Sequence, residues 1–81
     1  DWKYASNPNQ PDPAVYERSA NGEKYLVVIN PRAKKAKCTI TGYDGMESVV
    51  WGDPENISMK SSGQELVITI KGVSSVICKM K

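Results

Sequence analysis

Histidine is absent from the 81 residues. Its absence removes the commonest general base, the usual nucleophile–base–acid triad and most zinc sites. Cysteine is scarce: Cys38 and Cys78 are the only two, too few for a disulfide framework. Both fall where a strand is expected to face inward, with no basic neighbour on that face, so they read as two reduced, unactivated core thiols, ahead of a disulfide. No apolar run approaches the ~20 residues of a membrane-spanning helix. No glycine-rich phosphate loop, internal repeat or low-complexity tract is present. No window of about a dozen residues carries apolar positions at helical spacing. The net charge of +2 is weak. Its densest basic stretch, residues 31–37, lies between two expected strands, where a solvated loop is the simpler reading. A nucleic-acid surface would set aromatics beside a larger basic face.

What remains is strand pattern from end to end. The length suits one domain, which at this size buries only about 60% of its unfolded surface. It leaves no room for a catalytic barrel with its substrate cleft. Short strands are expected over residues 2–5, 14–19, 24–30, 37–41, 47–51, 57–60, 65–71 and 75–80. The stretch 6–13, with Pro8, Pro11 and Pro13, is expected to be an extended connector, because each proline fixes φ and lacks a donor. Asn21-Gly22 is the strongest hairpin signal, since both residues tolerate the positive φ of a type I′ turn. A two-residue loop there fixes the register: Arg18 faces Tyr25, Tyr16 faces Val27 and Ala14 faces Ile29. On the other face Val15 meets Val28 and Glu17 meets Leu26. Turns are read at 42–45, 52–54 and 61–63. Ala36, Cys38 and Ile40, then Leu66, Ile68 and Ile70, then Val76, Cys78 and Met80 supply inward faces. Together these strands predict an all-β antiparallel sandwich of about eight strands, a single domain over residues 1–81.

Tyr25-Leu26-Val27-Val28-Ile29 is apolar on both faces, whereas a strand with one wet face should alternate. One face belongs to this domain's core and the other is expected to meet a second domain. The sequence leaves open whether the interdomain face is Val15, Leu26 and Val28 or Tyr16, Tyr25 and Val27. The first residue is Asp1, and the start reads as the interior of a longer sequence.

Candidates for chemistry are few. Asp53 and Glu55 flank Pro54 in a turn, and Asp44 and Glu47 surround another, so turn chemistry accounts for them better than a catalytic carboxylate pair in a cleft. Asp53, Glu55 and Asn56 lack the spacing of a known calcium loop. Asn56-Ile57-Ser58 matches a glycosylation acceptor, a pattern that arises often by chance. Trp2, Tyr4, Tyr43 and Trp51 are the aromatics that could stack on sugar rings. Capping the core, or filling an interface with a neighbouring domain, is the more ordinary use of such side chains.

The segment Pro13-Ala14-Val15-Tyr16-Glu17-Arg18-Ser19, followed by Asn21-Gly22-Glu23-Lys24-Tyr25-Leu26-Val27-Val28-Ile29-Asn30-Pro31, resembles the start of the C-terminal domain of α-amylase-family glycoside hydrolases. There a "YxR" strand turns into "G-E-x-Y-L-V-V-x-N-P". Asp1-Trp2-Lys3-Tyr4 looks like the strand that opens that domain, and Glu65-Leu66-Val67-Ile68-Thr69-Ile70 through Gly72-Val73 to Ile77 resembles its closing hairpin. The resemblance implies a Greek-key sandwich that packs on and stabilises the parent's catalytic barrel, in a protein acting on α-glucans. The composition, charge and motifs above lead to the expectation of no cofactor, metal, nucleic acid or membrane for this domain. The family's three catalytic carboxylates belong to the barrel, and none of their motifs occurs here, so no catalytic residue carries over. The different reading from the same residues is an independent carbohydrate-binding module. The sequence assigns no compartment, the bacterial cytoplasm and periplasm being the two considered.

Overall fold

The computed structural model describes residues 2–6 and 13–81. Its elements, in chain order, are β1 (Trp2–Tyr4), β2 (Ala14–Ala20), β3 (Glu23–Asn30), β4 (Ala36–Thr41), β5 (Met46–Trp51), a 3₁₀ turn (Pro54–Asn56), β6 (Ile57–Ser62), β7 (Glu65–Ile70) and β8 (Ser74–Met80). They form two antiparallel sheets, one of five strands ordered β1-β2-β3-β8-β5 and one of three ordered β4-β7-β6. The all-β sandwich expected from the strand spacing is what the chain adopts. The connector read at 6–13 falls largely on residues 7–12, outside those described.

The β2–β3 hairpin has the register that its turn demands. Asn21 and Gly22 take φ of +53° and +78°, and the pairs run from Ala20↔Glu23 to Ala14↔Ile29. Two positive φ values in a two-residue loop match the right-handed twist of the strands beside it. The β6–β7 hairpin corrects the sequence reading. Ser61 and Ser62 are ladder residues opposite Leu66 and Glu65, and the turn is Gly63-Gln64 alone. Gly63 has φ +64° while Gln64 keeps a negative φ. That is the demand of a turn with glycine first, so the serines were free to extend the strand. The chain crosses between sheets after β3, β4, β5 and β7.

Between the sheets lies one apolar core: Val15, Leu26, Val28, Val76, Cys78 and Met80 from the larger sheet, against Ile40, Ile57, Leu66, Ile68 and Ile70 from the smaller. Val15, Leu26 and Val28 are completely buried here. This settles which face of the hairpin is which. As an interdomain face these three are ruled out, because the three-stranded sheet already covers them. Tyr16, Tyr25 and Val27 point outward. Cys38 and Cys78 are both free thiols. Burial pushes Cys78 up to about 11 and raises Cys38 as well, which keeps both protonated.

Two polar side chains hold the crossings. Asn30, buried at the end of β3, donates through Nδ2 to the carbonyls of Lys34 (2.8 Å), Lys71 (3.1 Å) and Ile70 (3.3 Å), and its Oδ1 accepts from Arg32 N (3.1 Å). One amide thus ties the β3–β4 crossing to the end of β7. Asp53 caps the 3₁₀ turn, its Oδ1 accepting from Glu55 N at 2.9 Å. Gly72 is the closest approach of all: a Cβ there would lie 2.1 Å from Ala33 O.

Candidate functional site

With the inner faces spent on the core, function falls to the outer surfaces. The most distinctive is the outer face of the five-stranded sheet. Pairing places Tyr4 opposite Tyr16, Tyr16 opposite Val27, Val27 opposite Ile77 and Ile77 opposite Trp51. One cross-strand row is therefore apolar or aromatic over the sheet's full width. The neighbouring row, Trp2–Arg18–Tyr25–Lys79–Ser48, mixes aromatic and charged groups. Between the rows lies a shallow groove of about 280 Å³, walled chiefly by Trp2, Tyr25, Val27, Val50 and Ile77. Register shifts on β5 after Met46 and after Val49 insert Glu47 and Val50 as extra residues. Such bulges re-aim side chains at a sheet edge. Val50 is carried to the groove wall. Glu47 reaches Lys79, 3.2 Å away.

The charged margin of this face is internally neutralised. Lys79 sits 3.2 Å from Glu23 as well as from Glu47, and the Tyr25 hydroxyl donates to Glu23 at 2.6 Å. The bond from Tyr25 holds Glu23 below the usual carboxylate range, with Lys79 acting in the same direction. The hydrogen bonds from Lys79 to Glu47 and Glu23 raise the ammonium in turn. At the opposite edge Trp2 meets Tyr16 edge-on (6.4 Å, 80°), Tyr4 meets Tyr16 at 4.6 Å and 36°, and their hydroxyls are 2.9 Å apart. The Arg18 guanidinium lies 5.6 Å from the centre of the Trp2 ring.

The four aromatics singled out by sequence are not gathered into one site. Trp2 and Tyr4 share the β1 edge and are 58% and 43% exposed. Trp51, equally exposed, is on the far edge strand β5, four strand spacings or roughly 19 Å away. Because Tyr16 meets one ring at 80° and the other at 36°, the Trp2 and Tyr4 planes are not parallel. Tyr43 is elsewhere, half-buried against the core, its hydroxyl donating to Glu17 Oε1 at 2.7 Å.

Glu17 is the buried group that sequence reasoning passed over. It is on the inner face of β2, with Lys3 3.3 Å from Oε2 and Lys24 3.9 Å from Oε1. The hydrogen bond from Tyr43 lowers its pKa most; burial opposes, and Lys3 and Lys24 add to the lowering. Burial and the same bond raise Tyr43. The signal was present, an acid two residues after Val15 on an otherwise apolar face. With hydrogen bonds from Tyr43 and Lys3 and the Lys24 ammonium nearby, Glu17 is a satisfied structural carboxylate.

The remaining acids do not converge. Asp53 is committed to its cap and Glu47 to Lys79. Among the described residues no group of three cysteine, aspartate or glutamate side chains is brought together to hold a metal ion. Asn56 of the glycosylation pattern is half-buried at the end of the 3₁₀ turn. No protein-family model, curated protein or solved structure matches the chain.

Proposed function

We propose that this chain is a non-catalytic accessory domain, the C-terminal β-domain of an α-amylase-family glycoside hydrolase acting on α-glucans. It docks on the catalytic barrel through the outer face of its five-stranded sheet and stabilises it. The observation that carries the reading is the row Tyr4–Tyr16–Val27–Ile77–Trp51. It crosses the whole sheet on the side that no other part of the described chain covers, whereas exposed apolar patches of this kind mark interaction surfaces. The likeness of residues 13–31 to the opening hairpin of that domain names the partner, and the same hairpin supplies Tyr16, Tyr25 and Val27 to the row and its groove.

The coding region upstream of Asp1 is expected to specify a barrel with three catalytic carboxylates. In that full-length protein, Val27→Lys with Ile77→Lys should lower the melting temperature of the barrel, while the isolated domain stays folded because both positions are outward. The purified domain alone should turn over no α-glucan. A reading frame without a barrel, or a barrel whose melting ignores the double substitution, would refute the proposal.

The reading as an independent carbohydrate-binding module draws on the exposure of Trp2 and Trp51, 58% and 59%. Against it stand the non-parallel Trp2 and Tyr4 rings and the internal bond of Tyr43. An NMR titration with maltoheptaose separates the two, since a sugar site must shift the indole signals and a docking face need not.

A further inference from the structure

The other side of the sandwich has a different chemistry. On the outer face of the three-stranded sheet the rows read Lys37–Thr69–Ser58, Thr39–Val67–Lys60 and, at the far end, Thr41–Glu65–Ser62, with Glu65 the one acid in these rows. Lys35 precedes β4 and Lys71 follows β7, and both line one recess of about 210 Å³ with Ser58 and Thr69. Lys35, Lys37 and Lys60 border the adjoining hollow. Four exposed ammonium groups, from segments far apart in sequence, thus share a single face.

Lys35, Lys37, Lys60 and Lys71 have no ion pair among the described residues, although Glu55 borders the recess. Of the other five lysines, Lys34 and Lys81 likewise have no ion pair among the described residues. Lys3, Lys24 and Lys79 each lie beside a glutamate. Like charges gathered on one sheet face repel, and an anion spanning them relieves that repulsion. The accompanying groups narrow the class of anion. The aromatics are on the opposite face or, in the case of Tyr43, bound to Glu17, so nothing here offers the stacking platform of single-stranded nucleic acid. Val67 is the single apolar residue of these rows, so the face lacks the apolar patch that would enter a lipid surface. Hydroxyls of Thr39, Ser58 and Thr69 lie among the lysines, which suits a ligand that carries both anionic groups and hydroxyls.

We propose that the outer face of the three-stranded sheet binds a linear anionic polysaccharide, whose sulfate, phosphate or carboxylate groups are held by Lys35, Lys37, Lys60 and Lys71. This face is opposite the docking face, so the proposal stands whether or not a barrel occupies the other side.

The test titrates the purified chain with fluorescein-labelled dextran sulfate of defined length, beside neutral dextran, duplex DNA and phosphatidylserine vesicles. Dextran sulfate should bind, neutral dextran should not, and affinity should fall about tenfold or more between roughly 50 and 200 mM salt. Lys37→Glu with Lys60→Glu should weaken binding by about tenfold or more at unchanged circular dichroism, and Lys35→Glu with Lys71→Glu should do the same independently. Lys81→Glu changes the charge off this face and should alter affinity by less than about threefold. The proposal is overturned by equal binding of neutral dextran, by tighter binding of DNA or vesicles than of dextran sulfate, or by pair substitutions no worse than Lys81→Glu.

Discussion

Replacing Tyr43 by Phe removes one oxygen and leaves the ring, so it isolates the bond to Glu17. That bond is 2.7 Å long and ends on a carboxylate whose residue is 6% exposed. Hydrogen bonds to charged groups contribute about 1.5–3 kcal/mol. Lys3 at 3.3 Å and Lys24 at 3.9 Å stay in place, so the charge is not stranded. The lower part of the range, about 2 kcal/mol, is therefore expected near pH 7. With a urea dependence of about 1 kcal/mol/M for a small domain, the midpoint should drop by about 2 M. The pH dependence follows from the direction of the shift. Glu17 is depressed in the folded chain, most of all by Tyr43. Its stabilising contribution is therefore fully present above the unfolded carboxyl value and is lost as pH falls through the lower folded one. The gap between wild type and Tyr43→Phe should accordingly be widest near neutrality and narrow below about pH 4. Far-UV circular dichroism is the appropriate signal, because Trp2 and Trp51 are already 58% and 59% exposed and report unfolding poorly. A loss under about 0.5 kcal/mol near pH 7, or an undiminished loss near pH 3, would refute the assignment of Tyr43 as the main partner of a buried charge.

Gly72→Ala should cost about 3 kcal/mol or more, since the new Cβ meets the Ala33 carbonyl, which is backbone and cannot swing aside; a melting temperature within a degree or two of wild type would contradict this. Val73 holds a β-branched side chain at φ +49° while 75% exposed, so Val73→Gly should stabilise by about 1 kcal/mol in the same denaturation assay. Leu26→Ala should cost about 2–5 kcal/mol and Val27→Ala, one residue away on the other face, less than about 1 kcal/mol in the isolated domain. Reversal of that order in urea titrations would mean that the inner and outer faces are exchanged.

Local chemistry made much of this fold legible. The β2–β3 register follows from Asn21-Gly22, and inward alternation at Leu66, Ile68 and Ile70 needs only a period of two. At Ser61-Ser62 the same reasoning misled, because serine is common in turns and the glycine after it was sufficient by itself. The pairings β3–β8, β5–β8 and β4–β7 join strands distant in sequence, and no turn between them announces the partner. For that reason the basic segment 31–37 looked like an isolated loop. Only the β4–β7–β6 order sets Lys60 and Lys71 beside Lys35 and Lys37.

The two faces of β3 show where hydropathy stops and connectivity takes over. Leu26 and Val28 on one side, and Tyr25, Val27 and Ile29 on the other, are both apolar enough to be buried. Asn30 breaks the symmetry, since by alternation it shares the face of Leu26 and Val28. A buried amide must find partners, and those of Asn30 are the carbonyls of the β3–β4 crossing and of the end of β7. Those bonds lie on the Leu26 and Val28 side, where the second sheet packs. The outer row is then freed of any duty in the core. Threonine at position 27 or 77 would keep the ladder and the register intact, because β-branching and period are unchanged. The domain's own folding therefore does not call for valine and isoleucine at those outward positions, or for aromatics at both ends of their row. The proposed docking on a neighbouring domain would supply that demand, and this is the physical basis for reading the row as a docking surface.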